Sequence, residues 1–411
     1  ALAAASDATV VAAPGAGERD ADDLVASVDL VCPAPGVPET HRVVRSAQRL
    51  GVPLVSEIEL AYRWENERPG GPRPMLAVTG TDGKTTTTLL TAAMLTAAGH
   101  RTIDAGNTDT PLVTALDLDV DAFVVECTSF RLAWTPTFRA DAAVWLNLAP
   151  DHLNWHESMD TYAAAKARVY ANQRPDDVAI GFVDDAVVMQ HLAAAPGRHV
   201  TFGHRDADYL VADGWMVGPR GRIAEVASMR RSLPHDVTNA LAASALVLER
   251  GLADEDAVAR ALATFQGPPH RLEELGRWDD VAWFNDSKAT TPHAAAAAIR
   301  SFDHLVLIAG GYDKHVDLSP MAAEPHRVDA VIAVGTTAPA IADAFAGVER
   351  VEIVEGLAEA VPLAAAIARP GQTVLLSPGC ASLDQYRNFE ARGDHFRELV
   401  HAIHHDRKEQ R

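Results

Sequence analysis

The sequence predicts an α/β protein built on parallel sheets, and three observations predict it. Short, continuous apolar runs of strand length recur at Met75–Val78, Ala122–Cys127, Ala142–Leu146, His304–Ala309, Ala330–Val334 and Thr373–Leu376. Longer alanine-rich segments of helical character lie between them, such as Thr85–Ala98, Asp236–Glu249 and Thr291–Ser301. Uninterrupted apolar strands joined by helical crossovers belong to sheets covered on both faces. Several of the runs also end in polar, glycine-containing turns, the edge at which open α/β sheets bind ligands.

Composition sets the outer limits. The chain has 411 residues, which at about 150 per domain means two to three domains. Lysine and arginine number 36 against 56 aspartates and glutamates, a net charge of −20. Such a field repels nucleic acid and anionic lipid, so the expected partners are small molecules, with no nucleic acid and no membrane. With 48% hydrophobic and 22% charged residues, the chain is neither disordered, collagen-like nor coiled coil. Cys32, Cys127 and Cys380 are too scattered for a disulfide framework or a zinc site, which points to a cytoplasmic compartment. No apolar run reaches the roughly 18 residues of a membrane span. Ala1–Ser6 shows no signal-peptide pattern.

Along the chain, Ala8–Ala12 is strand-like. Pro69-Gly70-Gly71-Pro72-Arg73-Pro74 reads as a linker, and Gly267-Pro268-Pro269 as a second break before the strand Val281–Phe284. Three parts result: residues 1–73, 74–269 and 270–411. The polar tail, His401 to Arg411, is expected to fray.

The strongest local signal is Gly80-Thr81-Asp82-Gly83-Lys84-Thr85-Thr86, where an apolar strand feeds a glycine turn and a helix begins. Such a turn aims backbone N–H groups at an anion, with the helix dipole behind them. Lys84 supplies a point charge to phosphates and Thr85 a hydroxyl to Mg²⁺. The loop is the short Gly-x-x-Gly-Lys-Thr form, since Val78 stands where the longer pattern needs glycine. Glu126 ends a strand and reads either as a carboxylate facing Mg²⁺ or as an exposed strand-end residue. Asp151-His152 follows another strand at the same edge and reads either as a capping Asp with a structural His or as part of the site. Lys166, in Tyr162-Ala163-Ala164-Ala165-Lys166, reads locally as a solvated helical lysine. In the third part, Asn285-Asp286-Ser287-Lys288-Ala289-Thr290, Gly310-Gly311-Tyr312-Asp313-Lys314 and Ser377-Pro378-Gly379-Cys380-Ala381-Ser382 each follow a strand, which predicts one functional rim.

These motifs, with Asn147, His235, Asn239, His270-Arg271 and Ser382-Leu383-Asp384-Gln385-Tyr386 through Asn388-Phe389, resemble the Mur ligases, most narrowly their D-glutamate-adding branch. The resemblance runs from about Cys32 to Phe396. It implies three domains: Rossmann-like domains at both ends, for the UDP-linked substrate and for D-glutamate, around a central P-loop ATPase-like domain. It implies a monomeric ligase that uses ATP and two Mg²⁺ ions to join D-glutamate to UDP-N-acetylmuramoyl-L-alanine through an acyl phosphate. Gly80, Thr81, Asp82, Gly83, Lys84, Thr85, Thr86, Asn239, Arg271 and Asp286 would then bind ATP. Thr85, Glu126, His152 and Lys166 would hold metal, with Lys166 matching the family's carbamylated lysine. The catalytic set would be Lys84, Glu126, His152 and Lys166. Asn107, Lys288, Thr290, Lys314, Ser382 and Phe389 would meet the two substrates.

The chain departs from the family in places. Gly106-Asn107 continues with Thr108-Asp109-Thr110, Arg131 replaces a common Gln, Asp236 a common Asn and Thr291 another Asn. The first domain is expected to be truncated, either because its glycine turn lies upstream of Ala1 or because the lineage has reduced the domain. The competing readings are another amide ligase of the same superfamily, such as a folylpolyglutamate synthase, and a non-catalytic nucleotide-binding relative.

Overall fold

In the computed structural model of the chain, residues 21–313 and 316–409 are described, without the side chains of Asn154 and of 406–409. The strand-like Ala8–Ala12 and Lys314 lie outside the described residues. Two compact units are present, Ala1–Phe265 and Gln266–Arg411.

The first unit is built on a six-stranded sheet in the order β2-β3-β1-β4-β5-β6, every pairing parallel. The strands are β1 (Met75–Thr79), β2 (Thr102–Gly106), β3 (Ala122–Glu126), β4 (Ala142–Trp145), β5 (Val178–Phe182) and β6 (Arg198–Phe202). All residues of β1, β3 and β4 are buried, as continuous apolar runs require. Period-two alternation divides their side chains between two cores. Leu76, Val78, Val124, Val144 and Ile180 pack with the helices Lys84–Ala97 and Pro234–Glu249. Ala77, Phe123, Val125 and Trp145 pack on the other face with Ile58 and Ala61 of the helix Glu57–Asn66. A small antiparallel sheet follows: β7 (Leu210–Ala212), β8 (Trp215–Gly218) and β9 (Gly221–Glu225).

The chain leaves β1, runs outward to β2, returns through β3 and only then crosses to β4. The carboxyl end of β1 is therefore the point where strand order reverses, the place where such sheets form a ligand crevice.

A buried ion pair clamps the linker. Arg73 donates from Nε and Nη2 to the two oxygens of Glu65 at 2.8 and 2.7 Å, and from Nη1 to Leu118 O at 2.8 Å. Its guanidinium also lies 4.5 Å from the Phe123 ring centroid.

The second unit repeats the architecture with strand order β10-β11-β15-β12-β13-β14. Its strands are β10 (Glu273–Trp278), β11 (Val281–Asn285), β12 (Leu305–Gly310), β13 (Val328–Val334), β14 (Arg350–Val354) and β15 (Thr373–Leu376). Only the β10–β11 pair is antiparallel. β15 returns between β11 and β12, so the turns after these strands share one edge. Of the tail expected to fray, the described residues 401–409 continue the helix Phe389–Glu409, and 410–411 lie outside the described residues. His404 stacks on Trp278 at 4.2 Å and is buried, which gives that stretch a packing partner.

Candidate active site

β1 delivers the chain into the turn Gly80–Gly83, and the helix Lys84–Ala97 starts immediately after it. Gly83 has φ 81°, and a Cβ there would sit 2.5 Å from Asn239 Oδ1. Glycine is thus required twice over, by backbone conformation and by the approach of Asn239. Asn239 comes from the helix Pro234–Glu249 and is buried, so two residues more than 150 positions apart in sequence meet at the loop.

The two lysines converge. Lys84 Nζ donates to Gly80 O at 2.9 Å and to Thr81 O at 2.6 Å, and Lys166 Nζ donates to Gly80 O at 2.6 Å. The local reading of Lys166 as a solvated residue is corrected here: it is 1% exposed. Its helix turns it inward, where its Nζ lies 4.6 Å from the Tyr162 ring centroid. Burial, reinforced by the charge of Lys84, pushes its ammonium well below the ordinary lysine range. That burial favours the neutral amine of Lys166 over its ammonium.

Glu126, at the end of β3, is 1% exposed, which removes the reading of an exposed strand-end residue. Oε1 accepts from Asn107 Nδ2 at 2.9 Å, while Oε2 is buried without a hydrogen-bond partner. A buried carboxylate oxygen with no donor suits a cation. Among the described residues no group of three or more His, Cys, Asp and Glu converges as a metal site. The expected set contains only two such residues, so Thr85 and a modified Lys166 would have to supply the rest.

His152 has φ 53° and lies 4.6 Å from the Phe130 ring, with Nε2 3.2 Å from Asp151 Oδ2. Partial burial lowers its pKa, favouring the neutral imidazole that a metal needs. Neighbouring His156, absent from the expected set, is fully buried. It bonds Ser129 Oγ through Nε2 at 2.8 Å, and its Nδ1 has no partner. Burial, then Lys166 and His152, lower its pKa to about 4.

Asn147 holds the loop. Its Oδ1 accepts from the backbone N–H of Thr81 at 3.0 Å and of Asp82 at 2.9 Å. Tyr162 Oη lies 3.2 Å from Thr81 Oγ1. Asp236, the departure from a common Asn, pairs with Arg231 at 3.0 Å and is buried.

In the second unit, Asp286 Oδ2 accepts from Ser377 Oγ at 2.8 Å and Oδ1 from the backbone N–H of Leu272 at 3.1 Å. Arg271, half-buried, directly precedes Leu272 in sequence. Asn285 Nδ2 bonds His270 Nδ1 at 3.0 Å and Gly393 O at 3.1 Å. Lys288 Nζ lies 4.0 Å from the Phe389 ring centroid. Thr290 N–H bonds Lys288 O at 2.8 Å, and Ser382 is buried after β15. Arg392, unremarked by its position in sequence, is buried and donates to Ser287 Oγ at 2.9 Å, Ser287 O at 2.8 Å and Cys380 O at 3.1 Å. It ties the turn after β11 to the turn after β15.

A glycine phosphate loop at a sheet reversal point, backed by two lysines and a buried carboxylate, defines an α/β enzyme that uses a nucleoside triphosphate. Comparison with known proteins narrows this class. The Mur ligase middle domain matches residues 78–247, and the Mur ligase glutamate ligase domain matches residues 270–380. The UDP-N-acetylmuramoylalanine–D-glutamate ligase of Frankia casuarinae is 43% identical over 387 residues, covering 91% of this chain and 80% of its own. That of Pelotomaculum thermopropionicum is 40% identical over 403 residues, covering 95% and 86%. Among solved structures, the MurF ligase of Thermotoga maritima in complex with ADP superposes with a TM-score of 0.62 at 15% identity, covering 88% of this chain and 92% of that one; it bears on the fold alone. The chain belongs to the Mur ligase family, enzymes that form amide bonds with the use of ATP.

Proposed function

We propose that the chain joins D-glutamate to UDP-N-acetylmuramoyl-L-alanine, a step of peptidoglycan precursor synthesis. The geometric observation that carries this is the convergence of Lys84 and Lys166 on Gly80 O. The substrates are those in the names of its relatives. The γ-phosphoryl of ATP passes to the alanyl carboxylate, releasing ADP. The amine of D-glutamate attacks the acyl phosphate, the C–N bond forms, phosphate leaves and the amine loses a proton. A carboxylate is a poor electrophile because its leaving group is oxide; phosphorylation supplies a good one.

Phosphoryl transfer crowds negative charge, so positioning and cations do most of the work. The loop Gly80–Thr86 would bind the phosphates through Lys84 and the N–H groups from Gly83 to Thr86, those of Thr81 and Asp82 being taken by Asn147, with Asn239, Arg271 and Asp286 facing the rest of ATP. Thr85, Glu126, His152 and Lys166 would hold two Mg²⁺ ions, which neutralise phosphate charge. The unpartnered Oε2 of Glu126 and the burial that disfavours the charged form of the Lys166 amine support this. Addition of CO₂ to that amine would make Lys166 an anionic ligand. Asn107 would meet the muramoyl-alanine end, and Lys288, Thr290, Lys314, Ser382 and Phe389 the two carboxylates of D-glutamate. Residues 1–73 would serve the UDP-linked substrate, 74–269 ATP and 270–411 D-glutamate. We place the enzyme in the cytoplasm as a monomer.

The test is ADP release with each substrate omitted in turn. Turnover should need both acceptors and vanish when L-glutamate replaces D-glutamate. Equal turnover with L-glutamate would favour a folylpolyglutamate synthase-like activity.

A further inference from the structure

Four side chains of the first unit form a continuous line ending at Glu126. Glu57, at the start of the helix Glu57–Asn66, accepts the backbone N–H of Val113 at Oε1, 2.7 Å away, and sets Oε2 3.6 Å from Arg131 Nε. Arg131 Nη1 donates to Asn107 Oδ1 at 2.7 Å. Asn107 Nδ2 donates to Glu126 Oε1 at 2.9 Å, leaving Oε2 buried without a partner. The Arg131 side chain is 12% exposed and that of Glu57 16%.

The chemistry of the two ends dictates the middle. A guanidinium can only donate and a carboxylate can only accept. Between them the Asn107 amide has one allowed orientation, oxygen toward Arg131 and nitrogen toward Glu126. Without a donor at position 131 the amide is free to turn. It would then set its oxygen against Glu126 Oε1, or leave that oxygen without a donor. Glu126 would lose the contact that fixes which of its oxygens is bound and which is open.

We propose that Arg131 is a positioning residue that orients Asn107 and, through it, presents Glu126 Oε2 to the divalent cation of the phosphate site. Glu57 in turn holds Arg131, so the segment before β1 is coupled to metal binding. This rests on the reading of Glu126 as a cation-facing carboxylate. It gives a role to the arginine that stands where the family commonly has Gln. Gln also carries an N–H donor, which is why the exchange is compatible with the site.

The experiment titrates the full chain with Mn²⁺ in the presence of ADP, read by the free-ion electron paramagnetic resonance signal, for the parent and for Arg131→Ala, Arg131→Gln, Asn107→Ala and Glu126→Gln. Loss of a group that orients a metal ligand weakens metal binding about 10- to 100-fold, the range expected for Arg131→Ala. Arg131→Gln should recover most of it, because its amide keeps a donor for Asn107. The double variant Arg131→Ala/Asn107→Ala should bind Mn²⁺ no more weakly than Asn107→Ala alone, since the two act in series. Unchanged Mn²⁺ binding in Arg131→Ala with a raised KM for the muramoyl-alanine substrate would overturn the proposal and mark Arg131 as a substrate contact. Full additivity of the two losses would also overturn it. If Glu126→Gln binds Mn²⁺ as the parent does, the metal assignment itself falls, a result distinct from failure of the relay alone. Melting temperatures within a few degrees of the parent exclude misfolding as the cause.

Discussion

Replacing Lys166 with methionine separates a structural lysine from a catalytic one. The side chain is 1% exposed and its amine makes one hydrogen bond, to Gly80 O at 2.6 Å, beside the Tyr162 ring. Burial holds its ammonium well below the ordinary lysine range, so the charged form is disfavoured at this site. Methionine is close in volume and fills the apolar part of the site. Gly80 O keeps its bond from Lys84 at 2.9 Å, so it is not left unsatisfied. The stability loss is therefore that of one net hydrogen bond, about 0.5–1.5 kcal/mol, or a melting shift of about 1–6 °C for a unit of this size. Turnover should fall far more, at least about 100-fold, the upper range for loss of a group that orients a metal site. Calorimetry and the ADP-release assay read the two effects separately. ¹³C-bicarbonate should give a carbamate resonance in the parent and none in the variant. Turnover within tenfold of the parent, or a loss above about 4 kcal/mol, would refute the reasoning, the latter because it belongs to a buried charge stripped of its partner.

Three further perturbations follow from other parts of the molecule. Gly83→Ala forces a Cβ at φ 81° within 2.5 Å of Asn239 Oδ1; the left-handed conformation alone costs about 1–2 kcal/mol, and ATP affinity by calorimetry should drop at least tenfold. Glu65→Ala leaves the Arg73 guanidinium buried without its carboxylate and should cost about 3–5 kcal/mol in urea unfolding, whereas Glu65→Leu/Arg73→Met together should recover most of that. His156 is neutral in the fold with a pKa of about 4 against an ordinary 6.5. The unfolded chain takes up the proton first, so the stability tied to this group is complete above pH 6.5 and is lost as pH falls toward 4. The fall from 6.5 to about 4 corresponds to a loss of about 3 kcal/mol; His156→Phe should flatten that limb of the melting-temperature profile, and an unchanged profile would remove His156 as its source.

Much of the fold was legible because the signals are short-range. Ala142–Leu146 and Thr373–Leu376 are unbroken apolar runs, and only a strand covered on both faces can hide every side chain of such a run. The phosphate loop was legible because glycine, lysine and threonine must stand within a few residues of one another to cradle an anion. The strands observed differ from the expected runs by a residue or two, as where β3 stops at Glu126 and excludes Cys127, since ladder pairing, not hydropathy, sets the end.

By itself the sequence determined the α/β class, the loop from Gly80 to Thr86 and the rim turns after β11, β12 and β15, all properties of neighbouring residues. Tertiary structure alone decided that Lys166 is buried beside Gly80, 86 positions earlier, and that Glu126 is sealed from solvent with one open oxygen. It alone brought Arg131 to Asn107 across 24 positions and Asn147 to the loop amides across 66. The reason is physical. Periodicity and turn chemistry are fixed by the residues next along the chain, whereas the protonation of a lysine or the orientation of an amide is fixed by what packs against it in space.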